Sequence, residues 1–184
     1  MDEIVKQAMA KWPNVPACYG WLGLDARGNW WLRDAAAQAC GSFASGAVGA
    51  KGSRVEHAKL AEFIGRNYLS DARGCWYFQN GPQQVFVELE ATPWIWRVQQ
   101  QAGSVQIHSH TGAALAVADV QQVLLDEQGA LYLLAPQGLG MVHTQDMLDA
   151  AAALEAGWLP EPQSVAREAL SKRYGYVSIP HLHA

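Results

Sequence analysis

Positive charge is scarce in this sequence of 184 residues: 13 lysines and arginines stand against 17 aspartates and glutamates, a formal net charge of -4. Without a basic footprint nothing would hold a phosphate backbone by counterion release, so nucleic acid is not an expected partner. Cysteine is sparse as well. Cys18, Cys40 and Cys75 are odd in number and show no Cys-x-x-Cys spacing, which argues against a disulfide framework. No apolar run approaches the roughly 18 residues that a membrane span needs. The start, Met1-Asp2-Glu3-Ile4, has neither the basic region nor the apolar stretch of a signal peptide. None of the four asparagines opens an Asn-x-Ser/Thr acceptor. The expectation is a cytoplasmic protein with no membrane contact.

Familiar reaction signatures are missing too. Gly46-Ala-Val-Gly49-Ala-Lys51-Gly52-Ser53 lacks the contiguous Gly-Lys-Ser/Thr of a phosphate loop. Gly41-Ser-Phe-Ala-Ser45-Gly46 is not a Gly-x-Ser-x-Gly elbow. Cys75 falls in an apolar strand, and Cys18 and Cys40 fall in loops with no basic neighbours to lower a thiol pKa.

What is present is core-forming material. Half of the residues are hydrophobic and 16% are charged, enough for one or at most two compact domains. Residues 1–100 carry ten basic and nine acidic side chains, whereas 101–184 carry three and eight, so the halves stand at +1 and -5. That asymmetry suggests two subregions. We place the division at 1–101, an N-terminal α+β subdomain, and 102–184, a β-rich subdomain closed by helices.

Apolar spacing predicts a helix over 3–12, with Ile4, Val5, Ala8, Met9 and Trp12 on one face. Trp21 to Leu32 reads as a hairpin, and the Ala/Gly/Ser-rich stretch 35–52 as a mobile loop. Ser53 and Glu56 form a capping-box pair opening a helix whose stripe is Leu60, Phe63, Ile64 and Tyr68. Cys75–Gln79, Gln84–Glu90 and Trp94–Val98 read as antiparallel strands, the first two joined by Asn80-Gly81. Short apolar segments at 104–108, 113–117, 120–125, 130–134 and 139–142 continue as a meander. Thr144 is the expected cap of a helix with Asp146 in its first turn and Met147, Leu148, Ala151 and Leu154 as its stripe. A last helix is expected from about Ser164 to Tyr174.

One pattern recurs three times: Asp25-Ala-Arg-Gly28-Asn-Trp30-Trp31, Asp71-Ala-Arg-Gly74-Cys-Trp76-Tyr77 and Asp126-Glu-Gln-Gly129-Ala-Leu131-Tyr132. The aspartate can accept from amides downstream of itself, and the glycine can take the left-handed conformation that lets the next strand leave. Three like hairpin turns explain the pattern, and a duplicated supersecondary unit is the sharper alternative. The fold class expected is α+β: antiparallel sheets in two packed subdomains, with repeated Asp-x-x-Gly hairpins, a capped helix in the first half and helices at the C-terminus.

The run Gly23-Leu-Asp25-Ala-Arg-Gly28-Asn-Trp30, the helix after Ser53, Asp71-Ala-Arg-Gly74-Cys-Trp76 and Val85-Phe-Val-Glu88-Leu-Glu-Ala-Thr-Pro93-Trp94 carry a resemblance. Together with Gly138-Leu-Gly-Met-Val-His143-Thr-Gln-Asp146-Met, they resemble an uncharacterised proteobacterial family of unknown function with repeated α+β hairpin units. The resemblance spans about residues 20–156 and rests mostly on turn and packing positions. It implies a fold, and a role in signalling or ligand sensing, without established catalytic residues to carry over. The Gly/Ala-rich insert at 35–52 is longer than the family pattern.

Three readings of function follow. Eight tryptophans are many for this length. Trp30, Trp76, Trp94 and Trp96 fall on expected strands with Arg97 beside them, and a face of exposed indoles would suit a small molecule or a protein partner. Burial in the core is the commoner fate of such rings, with Trp76 and Trp94 foremost. The leading expectation is a non-catalytic module binding a small ligand or a partner protein, with no cofactor. The alternative is a metal-dependent hydrolase holding zinc or another divalent metal. In His108-Ser109-His110 the two imidazoles would share one strand face, and His143 would add a third ligand. His181 and His183 are expected to be solvated rather than ligating. The third reading is a self-associating structural protein, a homodimer with the tryptophans at its interface. Glu88 and Glu90, about 7 Å apart on one strand face by the strand repeat, fit acid/base work and, more simply, a solvated face.

Overall fold

The computed structural model describes residues 1–101 and 103–180, and the expectations for His181 and His183 lie outside them. The fold is α+β, as its patterning implies. Its described residues divide into two compact units: 1–25, 29–91 and 175–180 form unit 1, and 26–28 with 92–101 and 103–174 form unit 2. The boundary therefore falls before Thr92 rather than after Gln101. The physical reason is that the strand Trp94–Gln101 pairs with Gly138–Val142 and Ser104–Ser109 and belongs to their sheet.

Unit 1 opens with helix α1 (Glu3–Lys11). Its strands are β1 (Cys18–Leu24), β2 (Trp30–Leu32), β3 (Ser53–Arg54), β4 (Tyr68–Ser70), β5 (Trp76–Asn80) and β6 (Gln83–Leu89). They lie in the order β3-β2-β1-β6-β5-β4. The sheet is two antiparallel meanders whose inner strands, β1 and β6, run parallel. Helix α2 (Ala35–Ala39) and helix α3 (Ala58–Arg66) are the other helices of this unit. The chain returns after Tyr174: Val177 bridges to Cys75, and the Leu89 amide donates to the Ser178 carbonyl.

Unit 2 holds β7 (Trp94–Gln101), β8 (Ser104–Ser109), β9 (Ala114–Leu115), β10 (Gln122–Asp126), β11 (Leu131–Ala135), β12 (Gly138–Val142) and β13 (Pro162–Val165). Their order is β13-β10-β11-β12-β7-β8-β9. Again two antiparallel meanders meet at a parallel pair, here β12 and β7, and β13 adds a further parallel strand beside β10. Both sheets are thus mixed rather than purely antiparallel. Trp96, Val98, Val123, Leu133 and Val142 form the core, closed by Ala150 and Ala153 of helix α4 (Met147–Glu155).

The repeated turn is built alike at each site. The carboxylate Oδ1 of Asp25, Asp71 and Asp126 accepts from the amide four residues on, at 2.8, 2.9 and 2.8 Å. Gly28, Gly74 and Gly129 sit at φ 81, 80 and 80°. A fourth copy was not legible as such, because serine takes the place of aspartate: Ser109 Oγ accepts from the Ala113 amide, with Gly112 at φ 84°.

Several expected elements differ. Ser53 begins a strand, and the helix starts at Ala58 behind His57, whose Nδ1 accepts from the Leu60 amide at 3.3 Å. Tyr68 leaves that helix for β4. Asn80 pairs with Gln83, so the hairpin loop is Gly81-Pro82 and not Asn80-Gly81. Pro82 cannot take positive φ, which places the left-handed residue first in the turn, at Gly81. Ser164 lies in β13, and the final helix is only α5 (Leu170–Tyr174). His143, not Thr144, caps the turn ahead of α4, and Leu148 is 86% exposed because Ala150 and Ala153 form the buried face. Among the described residues no helix is long and apolar enough to cross a membrane.

Candidate ligand-binding site

The stretch 35–52, expected to be a mobile loop, opens with helix α2, and its remainder, 41–52, is anchored by buried charge. Arg33 and Glu88 form an ion pair at 2.8 Å with side chains 2% and 3% exposed. Arg33 Nε donates to the Ala50 carbonyl at 2.7 Å, Nη1 also reaches the Gly20 carbonyl, and Nη2 donates to the Gly41 carbonyl. Glu88 Oε2 accepts from the Phe43 amide at 2.8 Å. Gly23 makes the room, since a Cβ there would lie 2.5 Å from the Phe43 ring. Glu90 is engaged as well, by Lys51 Nζ at 2.6 Å. Both carboxylates of the expected solvated pair are therefore spent on this segment, one fully buried, and neither is left for acid/base work.

Unit 1 also holds an apolar cavity of about 560 Å³, which this segment borders at Gly52. Trp21 and Leu22 of β1, Leu32 of β2, Leu60 and Ile64 of α3, and Phe78 of β5 supply its apolar wall. Trp21, Leu32 and Leu60 are 47%, 49% and 36% exposed, a large apolar surface left uncovered for a chain with so much core. Cys18, Arg33, Asp34, Ser53 and Asn80 are the polar side chains along it. The Cys18 thiol is pushed up by burial, so it is protonated and a poor nucleophile. Asp34 Oδ1 caps α2 by accepting from the Ala37 amide at 2.8 Å. A wider depression in unit 2, about 720 Å³, has a mixed lining of Leu125, Val165 and Ala166 with Asp126, Glu127 and Glu168.

The residues singled out in the sequence lie elsewhere. Trp30 and Trp76 are 3% and 8% exposed and both pack on Tyr68, at 5.1 and 4.8 Å between ring centroids. Trp96 is 1% exposed and donates to the Leu133 carbonyl at 3.2 Å. It fits because β12 carries a glycine beside the indole: a Cβ on Gly140 would meet Trp96 Nε1 at 2.3 Å. Trp94, half-buried, stacks on Trp96 at 6.0 Å and donates to the Gln137 carbonyl. The exposed indole face is thus corrected to two core clusters. Arg97 is held by both oxygens of Asp146 at 2.5 and 2.9 Å and does not join the tryptophans.

Nor do the histidines converge. β8 ends at Ser109, so His110 belongs to the following turn and the two imidazoles do not continue one strand face. His108 faces Arg97 across the ladder, His110 Nδ1 accepts from the Ile95 amide at 3.3 Å, and His143 Nδ1 accepts from the Gln145 amide at 3.1 Å. Among the described residues no three His, Cys, Asp or Glu side chains gather where they could hold a metal ion. The zinc alternative on His108, His110 and His143 loses its ligand set.

The architecture is that of a two-unit α+β protein with an apolar cavity in unit 1. The chain belongs to the family DUF2944, described as a protein of unknown function (DUF2946), whose profile matches residues 1–181. No curated protein matches it. Among solved structures it is similar to a DUF1285 family protein from Shewanella baltica, 14% identical, covering 76% of this chain and 97% of that one with a TM-score of 0.51. A DUF1285 family protein from Silicibacter pomeroyi, 11% identical, covers 84% of each chain with a TM-score of 0.48. The Shewanella likeness bears on the fold alone. The cavity residues carried no motif, and only unsatisfied hydrophobicity at Trp21, Leu32 and Leu60 could have signalled them.

Proposed function

We propose that the protein is a non-catalytic binding module that takes a small, largely apolar molecule in the cavity of unit 1. The observation that carries this reading is the cavity itself, because its volume lies within the range of small-molecule sites and its wall is apolar with few polar groups. Nothing around it suggests catalysis: the adjoining Arg33–Glu88 pair is sealed in structural hydrogen bonds, and the Cys18 thiol is held protonated. Self-association through the tryptophans is less well supported, since Trp30, Trp76 and Trp96 are consumed inside their own units.

Nile red, a neutral dye that brightens in apolar surroundings, is the direct probe. It is expected to bind, to be displaced by octanol, and to bind about tenfold or more weakly to the double variant Leu32→Gln/Leu60→Gln, which loses apolar wall. Both leucines are exposed, so the variant should keep the thermal midpoint of the parent. Absence of binding, or equal binding by the variant, would overturn the reading.

A further inference from the structure

We infer that the cavity takes an amphiphilic primary amine, its ammonium head held by Asp34 and its alkyl tail laid along Leu22, Leu32 and Leu60. The inference rests on the apolar-cavity reading above and adds the chemistry of the head group.

Two charged residues line the cavity, Arg33 and Asp34. The first is unavailable to a ligand. Its Nε, Nη1 and Nη2 all donate within the protein and Glu88 cancels its charge, so an anionic head would find no cation to pair with. Asp34 is in the opposite condition. It is exposed, only Oδ1 is used by the helix cap, and among the described residues no lysine, arginine or histidine pairs with it. The lining thus presents one uncompensated negative charge beside an apolar wall.

Topology sorts these groups along the cavity. β2 and β5 finish, and β1 and β6 begin, at the same end of the sheet. Asp34 follows β2 and so lies at that end, while Leu22 pairs with Leu32 farther along the strands; Asn80, closing β5, stands across β1 and β6, about 14 Å away, and does not share the head. Ser53, opposite Leu32 on the edge strand, adds a hydroxyl oxygen. An ammonium carries three donors and no acceptor, which matches a carboxylate supplemented by a hydroxyl oxygen. A tail extending from that head would run toward the leucines.

The test compares three probes with one tail, octylammonium, octanol and octanoate, by calorimetry at neutral pH on the full chain. Octylammonium is expected to bind ~3- to 10-fold tighter than octanol, with octanoate weakest, the spread of a partly solvated charge contact. Asp34→Asn and Asp34→Ser both retain an N-cap side chain and should erase the advantage of octylammonium over octanol. If octanol binds and octylammonium binds no tighter, or octanoate binds best, the amine inference is overturned and the apolar cavity stands. If none of the three binds and Nile red also fails, both fall together.

Discussion

The sheets of the two units follow one plan and are closed in different ways. Read from the outer strand inward, unit 1 runs β3-β2-β1-β6-β5-β4 and unit 2 runs β9-β8-β7-β12-β11-β10, each a pair of meanders joined at a parallel seam. In unit 2 a helix faced with alanines lies on the apolar side of the sheet, and Ala150 and Ala153 are fully buried there. In unit 1 helix α3 covers its sheet incompletely, leaving Leu60 exposed and the cavity open. The adjoining loop is tied down by a buried ion pair together with the buried Phe43 and Ala50 side chains. A plan of strands therefore does not decide whether a binding site exists. The side chains of the covering elements decide it, because small residues let a helix approach closely and larger ones hold it off.

Charge against packing is the first place to break this comparison. Glu88→Leu strands the Arg33 guanidinium without a counter-charge, and urea unfolding should show a loss of about 3–5 kcal/mol. The double variant Arg33→Met/Glu88→Leu should recover much of it. A single variant as stable as the parent would show that the pair does not anchor the 41–52 segment.

The shared turn separates the units more finely. Gly74 and Gly129 hold the same position at the same φ, yet a Cβ on Gly129 meets nothing, whereas one on Gly74 would fall 2.0 Å from the Gly175 carbonyl oxygen. Gly129→Ala should cost about 1–2 kcal/mol from the left-handed backbone alone. Gly74→Ala should add about 1–3 kcal/mol of overpacking as the returning segment is displaced. Equal thermal shifts would count against that segment's role in unit 1.

The smallest effect expected is one of pH. Burial pushes Asp126 up, but the Tyr132 hydroxyl and the Ala130 and Gln128 amides outweigh it, and the carboxyl lies below its ordinary value. A lowered folded value stabilises the protein above the unfolded value near 3.9 and loses that contribution as pH falls through the folded one. Asp126→Asn should therefore flatten the acid limb of the stability profile by about 1 kcal/mol, read as urea midpoints at neutral and strongly acid pH. An unchanged acid limb would show that the turn carboxylate is not protonated in that range.

Much of the strand order along the chain was legible, since period-two alternation and Asp-x-x-Gly turns are local signals. Helix starts were less so. Ser53 and Glu56 carry a capping-box pattern, yet Ser53 pairs with Leu32 on the edge of a sheet, a partner 21 positions away that no local pattern reveals. Likewise Glu88 looks like a solvated strand residue until Arg33 and the Phe43 amide arrive from distant loops. The site was the least legible part, because the tryptophans drew attention while the cavity is lined by ordinary leucines. Glycine at Gly140, in a strand far along the chain, is what allows Trp96 to be core.

By itself, then, the sequence determined the α+β class, the four-residue turns and the lack of a basic footprint, all consequences of neighbours in the chain or of composition. Tertiary structure alone decided that Arg33 is spent and Asp34 is not, that three indoles are buried, and that an apolar cavity stays open beside α3. Those outcomes depend on which distant groups share a space, and burial or charge compensation exists only once they do.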